Sequence, residues 1–334
     1  MVLEDPLYYI QGVLDKDKRV MAKAITLVES ALPLHQETAR SVINALLPHA
    51  GQAIRLGISG VPGVGKSTFI ESLGTLLVNK GYHVAVLAVD PSSQKSGGSV
   101  LADKTRMEKL STAKHAFIRP SPSGGTLGGV ARKTRETMII CESAGYDVVI
   151  VETVGVGQSE TTVASMVDFF LLLLIAGAGD EIQGIKKGVL EVADAIAVNK
   201  ADGDNIARAE FARKQYETAL HYLMPVSPVW TTKVLTCSSL NADDKGLKEI
   251  WQAVLDHRER FMKNGLLEKK RRDQALDWMW ALVEEGLKSQ FQQNRAVMER
   301  LPGITKDVND GKLAPTVAAE KLLFSLDNVH SVSS

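Results

Sequence analysis

Residues Gly60-Val61-Pro62-Gly63-Val64-Gly65-Lys66-Ser67 fit G-x-x-x-x-G-K-[ST] without a mismatch. No other feature constrains the fold as tightly, because this loop works only between a buried strand and the start of a helix. Its glycines let successive backbone N–H groups turn inward and cradle phosphate oxygens. Lys66 supplies a mobile positive charge that can reach the β- and γ-phosphates, and the Ser67 hydroxyl can ligand Mg²⁺. Thr68 continues the phosphate-facing set. The flanks agree: Ile54 to Ile58 reads as a short buried strand, and Ser67 to Lys80 as a helix whose N-terminus faces the phosphates. An ordinary Gly-rich strand–helix turn is the alternative, and the strand–loop–helix context weighs against it.

Asn199-Lys200-Ala201-Asp202 follows the apolar run Ala195 to Val198 and reads as N-K-x-D at a strand end. A carboxylate here can accept hydrogen bonds from guanine N1–H and the 2-amino group. Adenine has neither donor and would leave a desolvated carboxylate unpaired. The Lys200 stem can lie over the base plane. Alone the tetrapeptide is a weak signal, since it also occurs in polar turns. Thr236-Cys237-Ser238-Ser239-Leu240, also after a short strand, resembles the loop that touches the guanine edge in GTPases. The three segments together favour GTP and GDP over adenine nucleotides.

The chain has 334 residues, enough for one large α/β domain with extensions or for two domains. Lys+Arg and Asp+Glu both number 39, so bulk charge points to neither a nucleic acid nor a membrane surface as partner. The densest basic run, Lys269-Lys270-Arg271-Arg272, is read as a solvated helix face. Only two cysteines occur, Cys141 and Cys237, and no C-x-x-C, so neither a disulfide framework nor a zinc pattern is indicated. Both read as small buried side chains. The seven histidines are scattered along the sequence. The N-terminus has no basic-plus-apolar signal pattern, and the apolar stretch Phe169 to Ala178 is too short to span a bilayer. The expected location is the cytoplasm.

Residues 1–50 read as a helical N-terminal extension. One helix is expected over Val20 to Ser30, with Pro33 as its stop, and a shorter one over Ser41 to Leu47. This segment carries no visible chemistry and is expected to pack as a cap. Residues 51–262 alternate strands and helices, with strands at 54–59, 83–89, 116–118, 147–152, 168–175, 194–198 and 233–236. Near-continuous apolar runs such as Phe169 to Ile175 suit strands buried on both faces. The fold class is therefore α/β: a mainly parallel sheet with helices on both faces. Residues 263–334 show no strand signal. Asp273 to Gln293 is a long amphipathic pattern, Pro302-Gly303 is expected to break it, and Pro315 to Leu326 forms a last helix. So short a helical arm cannot bury its own core well and should dock on the main domain or on a second copy of the chain.

In an open parallel sheet, ligands sit beyond the carboxyl ends of the strands. Asp90, Glu152 and Asn199 fall at such ends beside the loop at 60–67. Acidic residues there fit a hydrated Mg²⁺ bridging the β- and γ-phosphates, although Asp90 before Pro91 would also make a good helix cap. Glu152-Thr153-Val154-Gly155 stands where many GTPases have D-x-x-G, and the Gly155 N–H can sense the γ-phosphate. Val156 follows it where Ras-like proteins carry a water-orienting Gln, and the nearest Gln is Gln158. That substitution implies slow intrinsic hydrolysis raised by a partner. Ala176 to Gly188 forms a third Gly-rich loop, in which Asp180, Glu181, Lys186 and Lys187 can exchange charge contacts between nucleotide states.

Gly60 to Ser67, Val89-Asp-Pro-Ser-Ser93, Gly97 to Met107, Val151-Glu-Thr-Val-Gly-Val-Gly-Gln-Ser-Glu160 and Gly184 to Gly188 together resemble the MeaB/ArgK family of P-loop GTPases. The resemblance runs from about residue 20 into the C-terminal arm. It implies a chaperone of adenosylcobalamin-dependent methylmalonyl-CoA mutase that gates cofactor loading and protects the mutase, with a cobalamin adenosyltransferase as a further candidate partner. It also implies a helical N-terminal extension and a C-terminal homodimerisation arm. By motif match, Asp90, Asp103 and Glu152 look like the family's Mg²⁺ and switch acids, and residues 176–188 like its extra switch. Ala102 departs from the glycine expected before Asp103. Two rival readings are a GTPase that inserts a metal such as nickel and an ATP-dependent kinase of arginine/ornithine transport. No evident His/Cys metal store supports the first, and N-K-x-D weighs against the second.

Overall fold

A computed structural model of the protein describes residues 3–89, 107–120, 127–153, 159–176, 187–221, 227–240 and 244–325. The chain divides into two compact units, 1–271 and 272–334. The first opens with α1 (Pro6–Leu14), α2 (Lys18–Glu29) and α3 (Pro33–Leu46), followed by β1 (Ile54–Gly60) and α4 (Lys66–Asn79). Next come β2 (Val84–Val89), α5 (Glu108–Thr112), β3 (Ala116–Arg119), α6 (Leu127–Ser143), β4 (Val148–Thr153), α7 (Ser159–Ala164) and β5 (Phe169–Ile175). After these run α8 (Lys187–Glu191), β6 (Ala195–Asn199), α9 (Ile206–Leu220), β7 (Lys233–Thr236) and α10 (Lys245–Lys263). The helix α11 (Leu266–Gln293) continues from the first unit into the second, which also holds α12 (Arg295–Asn309) and α13 (Pro315–Leu323).

The seven strands form one sheet in the order β3-β2-β4-β1-β5-β6-β7. Every pair is parallel, with Leu56 of β1 in register with Ile150 of β4 on one side and Phe169 of β5 on the other. Strand residues alternate between two cores, as the period of two requires. Val149, Val151, Phe170 and Leu172 face one core, and Val148, Ile150, Phe169 and Leu171 the other. The first core is closed by α1, α2, α3, α6 and α9, through residues such as Ile25, Val42, Ile140 and Tyr216. The second is closed by α4 and α10, through Phe69, Leu73, Ile250 and Trp251. Both faces are thus covered, which explains why the strands read as unbroken apolar runs.

The N-terminal helices differ from expectation at Pro33. The stop lies at Ser30, which turns extended after Glu29, and Pro33 is the first residue of α3 rather than the terminator of α2. Proline has no N–H to lose at a first helical position, and its fixed φ suits the helix there. In the second unit Pro302 and Gly303 lie inside α12, and the break falls at Asn294 instead. The Asn294 side chain accepts from the N–H groups of Ala296 and Val297, capping α12.

The basic run at 269–272 is a solvated face only in part: Lys269 and Arg272 are exposed, but Lys270 and Arg271 turn into the fold. Arg271 donates to both carboxylate oxygens of Asp168, at 2.8 and 2.7 Å, and to the carbonyls of Gly51 and Ala53. Lys270 donates to the Asp168 carbonyl at 2.7 Å. Asp168 also accepts from the backbone N–H of Arg55, whose guanidinium pairs with buried Glu142. This network ties the amino ends of β1 and β5 to the start of α11. Burial works to raise the Asp168 carboxyl, but the contacts to Arg271 and Arg55 outweigh it and hold the group below its usual range.

Removing one partner of a buried ion pair leaves the other charge uncompensated. Asp168→Asn should therefore cost about 3–5 kcal/mol of stability in urea unfolding. A loss under about 1 kcal/mol would show the pair to be no more than an exposed one. Because the folded carboxyl is depressed, its stabilisation is present above the unfolded value of about 3.9 and disappears as pH falls through the lower folded value. The native chain should thus lose this part of its acid sensitivity on substitution.

Candidate nucleotide site

The loop between β1 and α4 combines two unusual backbone demands. Gly63 and Gly65 adopt left-handed φ of 79° and 91°, which glycine accepts without steric cost. At Gly60 the demand is closeness: a Cβ there would lie 2.4 Å from the Leu173 carbonyl oxygen of β5. Gly65 caps α4 and, having no side chain, offers no acceptor to the N–H groups of the first turn, the groups that a helix start presents to an anion. Val61 is partly exposed, Pro62, Gly63 and Thr68 are exposed, and Val64 is buried in the core beneath the loop.

Lys66 arcs back over the loop and donates to the carbonyls of Gly60 at 2.7 Å and Val61 at 3.3 Å. Burial pulls its amine below the usual lysine range, opposed by the charges of Glu152 and Glu160. The Ser67 hydroxyl donates to Glu152 Oε1 at 3.3 Å. Glu152 is buried at the end of β4, beside Thr153, whose hydroxyl donates to Ser59 of β1 at 2.8 Å. Ser67 and Glu152 thus bring two hard oxygen donors to one point, the ligand type that suits Mg²⁺. Three other expected residues, Asp90, Asp103 and Gly155, lie outside the described residues, as do Gln158 and the loop at 177–186. Among the described residues no three His, Cys, Asp or Glu side chains are grouped to hold a metal ion.

The second half of the site is joined directly to the first. Asn199, at the end of β6, is buried; its Nδ2 donates to the Val64 carbonyl at 2.8 Å. Its Oδ1 accepts from Ser239 Oγ at 2.6 Å and from Cys237 Sγ at 3.5 Å. Lys200 holds a left-handed φ of 59° and donates to the Gly63 carbonyl at 2.9 Å. Asn205 steadies that turn by donating to the Lys200 carbonyl at 2.7 Å. Asp202 Oδ2 accepts from Ser238 Oγ at 2.6 Å, so the hydroxyl orients the carboxylate. Leu240 is exposed at the rim.

Three supports were missed by sequence reading. Asp244 accepts from the N–H of Ser238 as well as from Leu247, and so holds the 238–240 loop while capping α10. Ser72 of α4 donates to the Ser239 carbonyl at 2.7 Å. Cys237 is more than a small buried filler, since its thiol touches Asn199. Asp244 carried a usable signal, an acidic residue just ahead of a helical pattern; the other two pairings span the chain and carried none.

A parallel sheet with this loop between β1 and α4, and an N-K-x-D turn at the end of β6, is the arrangement of a P-loop GTPase. Residues 21–296 match the protein family described as Methylmalonyl Co-A mutase-associated GTPase MeaB, and the chain belongs to that family. The GTPase ArgK of Escherichia coli is 52% identical over 269 residues, covering 80% of this chain and 81% of its own. The mouse protein named methylmalonic aciduria type A homolog, mitochondrial, is 42% identical over 336 residues, covering 98% and 80%. A solved structure described as LAO/AO transport system kinase superposes with a TM-score of 0.79 at 40% identity, covering 98% of this chain and all of its own. The protein is a GTPase that binds guanine nucleotide and hydrolyses GTP. No helix among the described residues is long and apolar enough to cross a membrane.

The geometry around Asp202 generates a specific expectation. Asp202→Asn keeps one oxygen for Ser238 and turns an amide donor toward the base, where it can meet the 2-oxo group of xanthine. The variant should lose GTP affinity and gain affinity for xanthosine nucleotides, measured by competition binding. Unchanged GTP preference in the variant would place base selection elsewhere.

Proposed function

We propose that the protein is a GTP-hydrolysing chaperone of an adenosylcobalamin-dependent acyl-CoA mutase of the methylmalonyl-CoA mutase type, gating cofactor loading and protecting the mutase. The observation that carries this reading is membership, across residues 21–296, of a family described by its association with that mutase. The identity to the mouse methylmalonic aciduria type A homolog supports it. A cobalamin adenosyltransferase is a further partner in the same reading, and the cytoplasm its setting.

Within this reading, Gly60 to Thr68 bind the phosphates, while Asn199, Lys200 and Asp202 with Ser238 to Leu240 hold the guanine. Lys66 stabilises charge as it develops on the transferred phosphoryl group. Ser67 and Glu152, joined by Asp90 and Asp103, are the residues that would hold Mg²⁺, which neutralises phosphate charge when bound. Gly155 reports the γ-phosphate. Val156 in place of a water-orienting Gln leaves room for a partner to raise the rate. A kinase reading, suggested by the name of the solved relative, needs an adenine site, and the oriented Asp202 carboxylate disfavours one.

The test is GTP turnover with and without purified cobalamin mutase, with ATP in parallel. The mutase should raise the native rate several-fold, and Lys66→Ala should lower turnover by about 10²-fold or more in both settings. Equal use of ATP would overturn the guanine assignment, and absence of stimulation by any such mutase would remove the chaperone role.

The same proposal includes a homodimer built on the second unit. Leu276, Met279, Trp280, Val283 and Leu287 recur at helical spacing along α11 and are exposed. Light scattering of the full chain should return twice the chain mass. A monomer at high protein concentration would exclude this interface.

A further inference from the structure

The histidines scattered along the sequence do not all stay apart in the fold. His83 immediately precedes β2, His115 precedes β3 and Asp147 precedes β4. Those strands are neighbours in the sheet, so the three residues meet at its amino edge. His115 Nδ1 lies 3.0 Å from His83 Nε2, with the two rings nearly perpendicular. His83 Nδ1 lies 3.2 Å from Asp147 Oδ2, which also accepts from the His83 backbone N–H at 2.8 Å. The backbone around them is fixed by the sheet: His83 O accepts from the N–H groups of Asp147 and Val148, and His115 O accepts from Val84 N–H. The positions of all three residues are therefore set by strand register.

We propose that His83 and His115 form a two-imidazole site for a divalent transition-metal ion, with Asp147 orienting His83. A carboxylate beside neutral His83 can only accept, so His83 Nδ1 carries the proton and Nε2 presents its lone pair toward His115. His115 Nδ1 either donates to that lone pair or, in the tautomer that carries the ring proton on Nε2, presents a lone pair of its own, and in the second case both nitrogens converge on a shared cation. Zn–N bonds of about 2.0–2.1 Å in a tetrahedral site place two ligand nitrogens about 3.3 Å apart, so only a slight opening of the observed pair is needed. An outer carboxylate on the non-ligating ring nitrogen is the support that metal-bound histidines usually have. Imidazole pairs select Zn²⁺, Ni²⁺ or Cu²⁺ and not Mg²⁺ or Ca²⁺, which prefer oxygen. With no third His, Cys, Asp or Glu placed to join them among the described residues, water completes the shell. The His83 side chain is 41% exposed, which gives the ion an entry path. The nearby Lys18 ammonium, held on the carbonyls of Lys114 and Ala116, keeps the affinity modest. The site lies at the edge of the sheet opposite the nucleotide loop and is independent of the GTP-binding residues.

The test uses the full chain, stripped with EDTA and dialysed, and titrated calorimetrically with ZnCl₂, with NiCl₂ and MgCl₂ in parallel. One equivalent of zinc should bind, and magnesium should give no heat at this site. His83→Gln and His115→Gln should each weaken zinc binding at least tenfold, and Asp147→Asn by about tenfold, while GTP turnover stays at the native rate. On the native chain, zinc should protect His83 and His115 from diethyl pyrocarbonate, a readout that needs no substitution. Equal zinc affinity in the His83→Gln/His115→Gln double variant would overturn the site. So would unprotected histidines, or native binding weaker than about 1 mM.

Discussion

One buried carboxamide sets the distance between the two halves of the nucleotide site. Asn199 gives its amide donor to the carbonyl of Val64 and takes the hydroxyl of Ser239 on its oxygen. A buried amide has few ways to satisfy both ends at once, and leaving either unpaired is costly. The phosphate loop and the 238–240 loop are therefore held in a fixed relation before any ligand arrives. Gly65 is part of the same arrangement, because a Cβ there would sit 3.1 Å from Asn199 Nδ2. The Lys200 contact to Gly63 and the Ser238 contact to Asp202 extend this one constraint from the loop to the residue proposed to read the base.

The two edges of the sheet divide the labour. Carboxyl ends carry the loops of the candidate nucleotide site, where ligands generally sit in open parallel sheets. Amino ends carry polar networks that hold elements together: Asp168 with Arg271 and Arg55, and Asp147 with His83. The ionic network is buried, so each partner depends on the others to offset its desolvation.

What was legible in the sequence follows from what is local. The glycines at 60, 63 and 65 and the run Phe169 to Ile175 declare their backbone and burial within a few residues, so the loop and the sheet could be read directly. Pro33 and Pro302 were misjudged because proline is permitted at a helix start and can be tolerated inside a helix held by its neighbours. Arg271 looked solvated because its partner, Asp168, is about a hundred residues away, and nothing in a basic tetrapeptide reveals a buried acid elsewhere. His83 and His115 were equally opaque, since only the strand order brings them together.

That strand order also bears on synthesis of the chain. β1 carries the phosphate loop, yet its two neighbours in the sheet are β4 and β5, with Ile54 opposite Val148 and Leu56 opposite Phe169. A nascent chain that ends at Gly145 contains β1, β2 and β3 but lacks the strand that lies between β1 and β2. Its phosphate loop then has neither the Leu173 backbone against Gly60 nor Asn199 against Val64. Closing such distant pairings is slow, because the loop entropy is lost before the contacts form. Guanine-nucleotide binding is thus a late property of the growing polypeptide, acquired once Leu240 is in place, after about seven-tenths of it has been made.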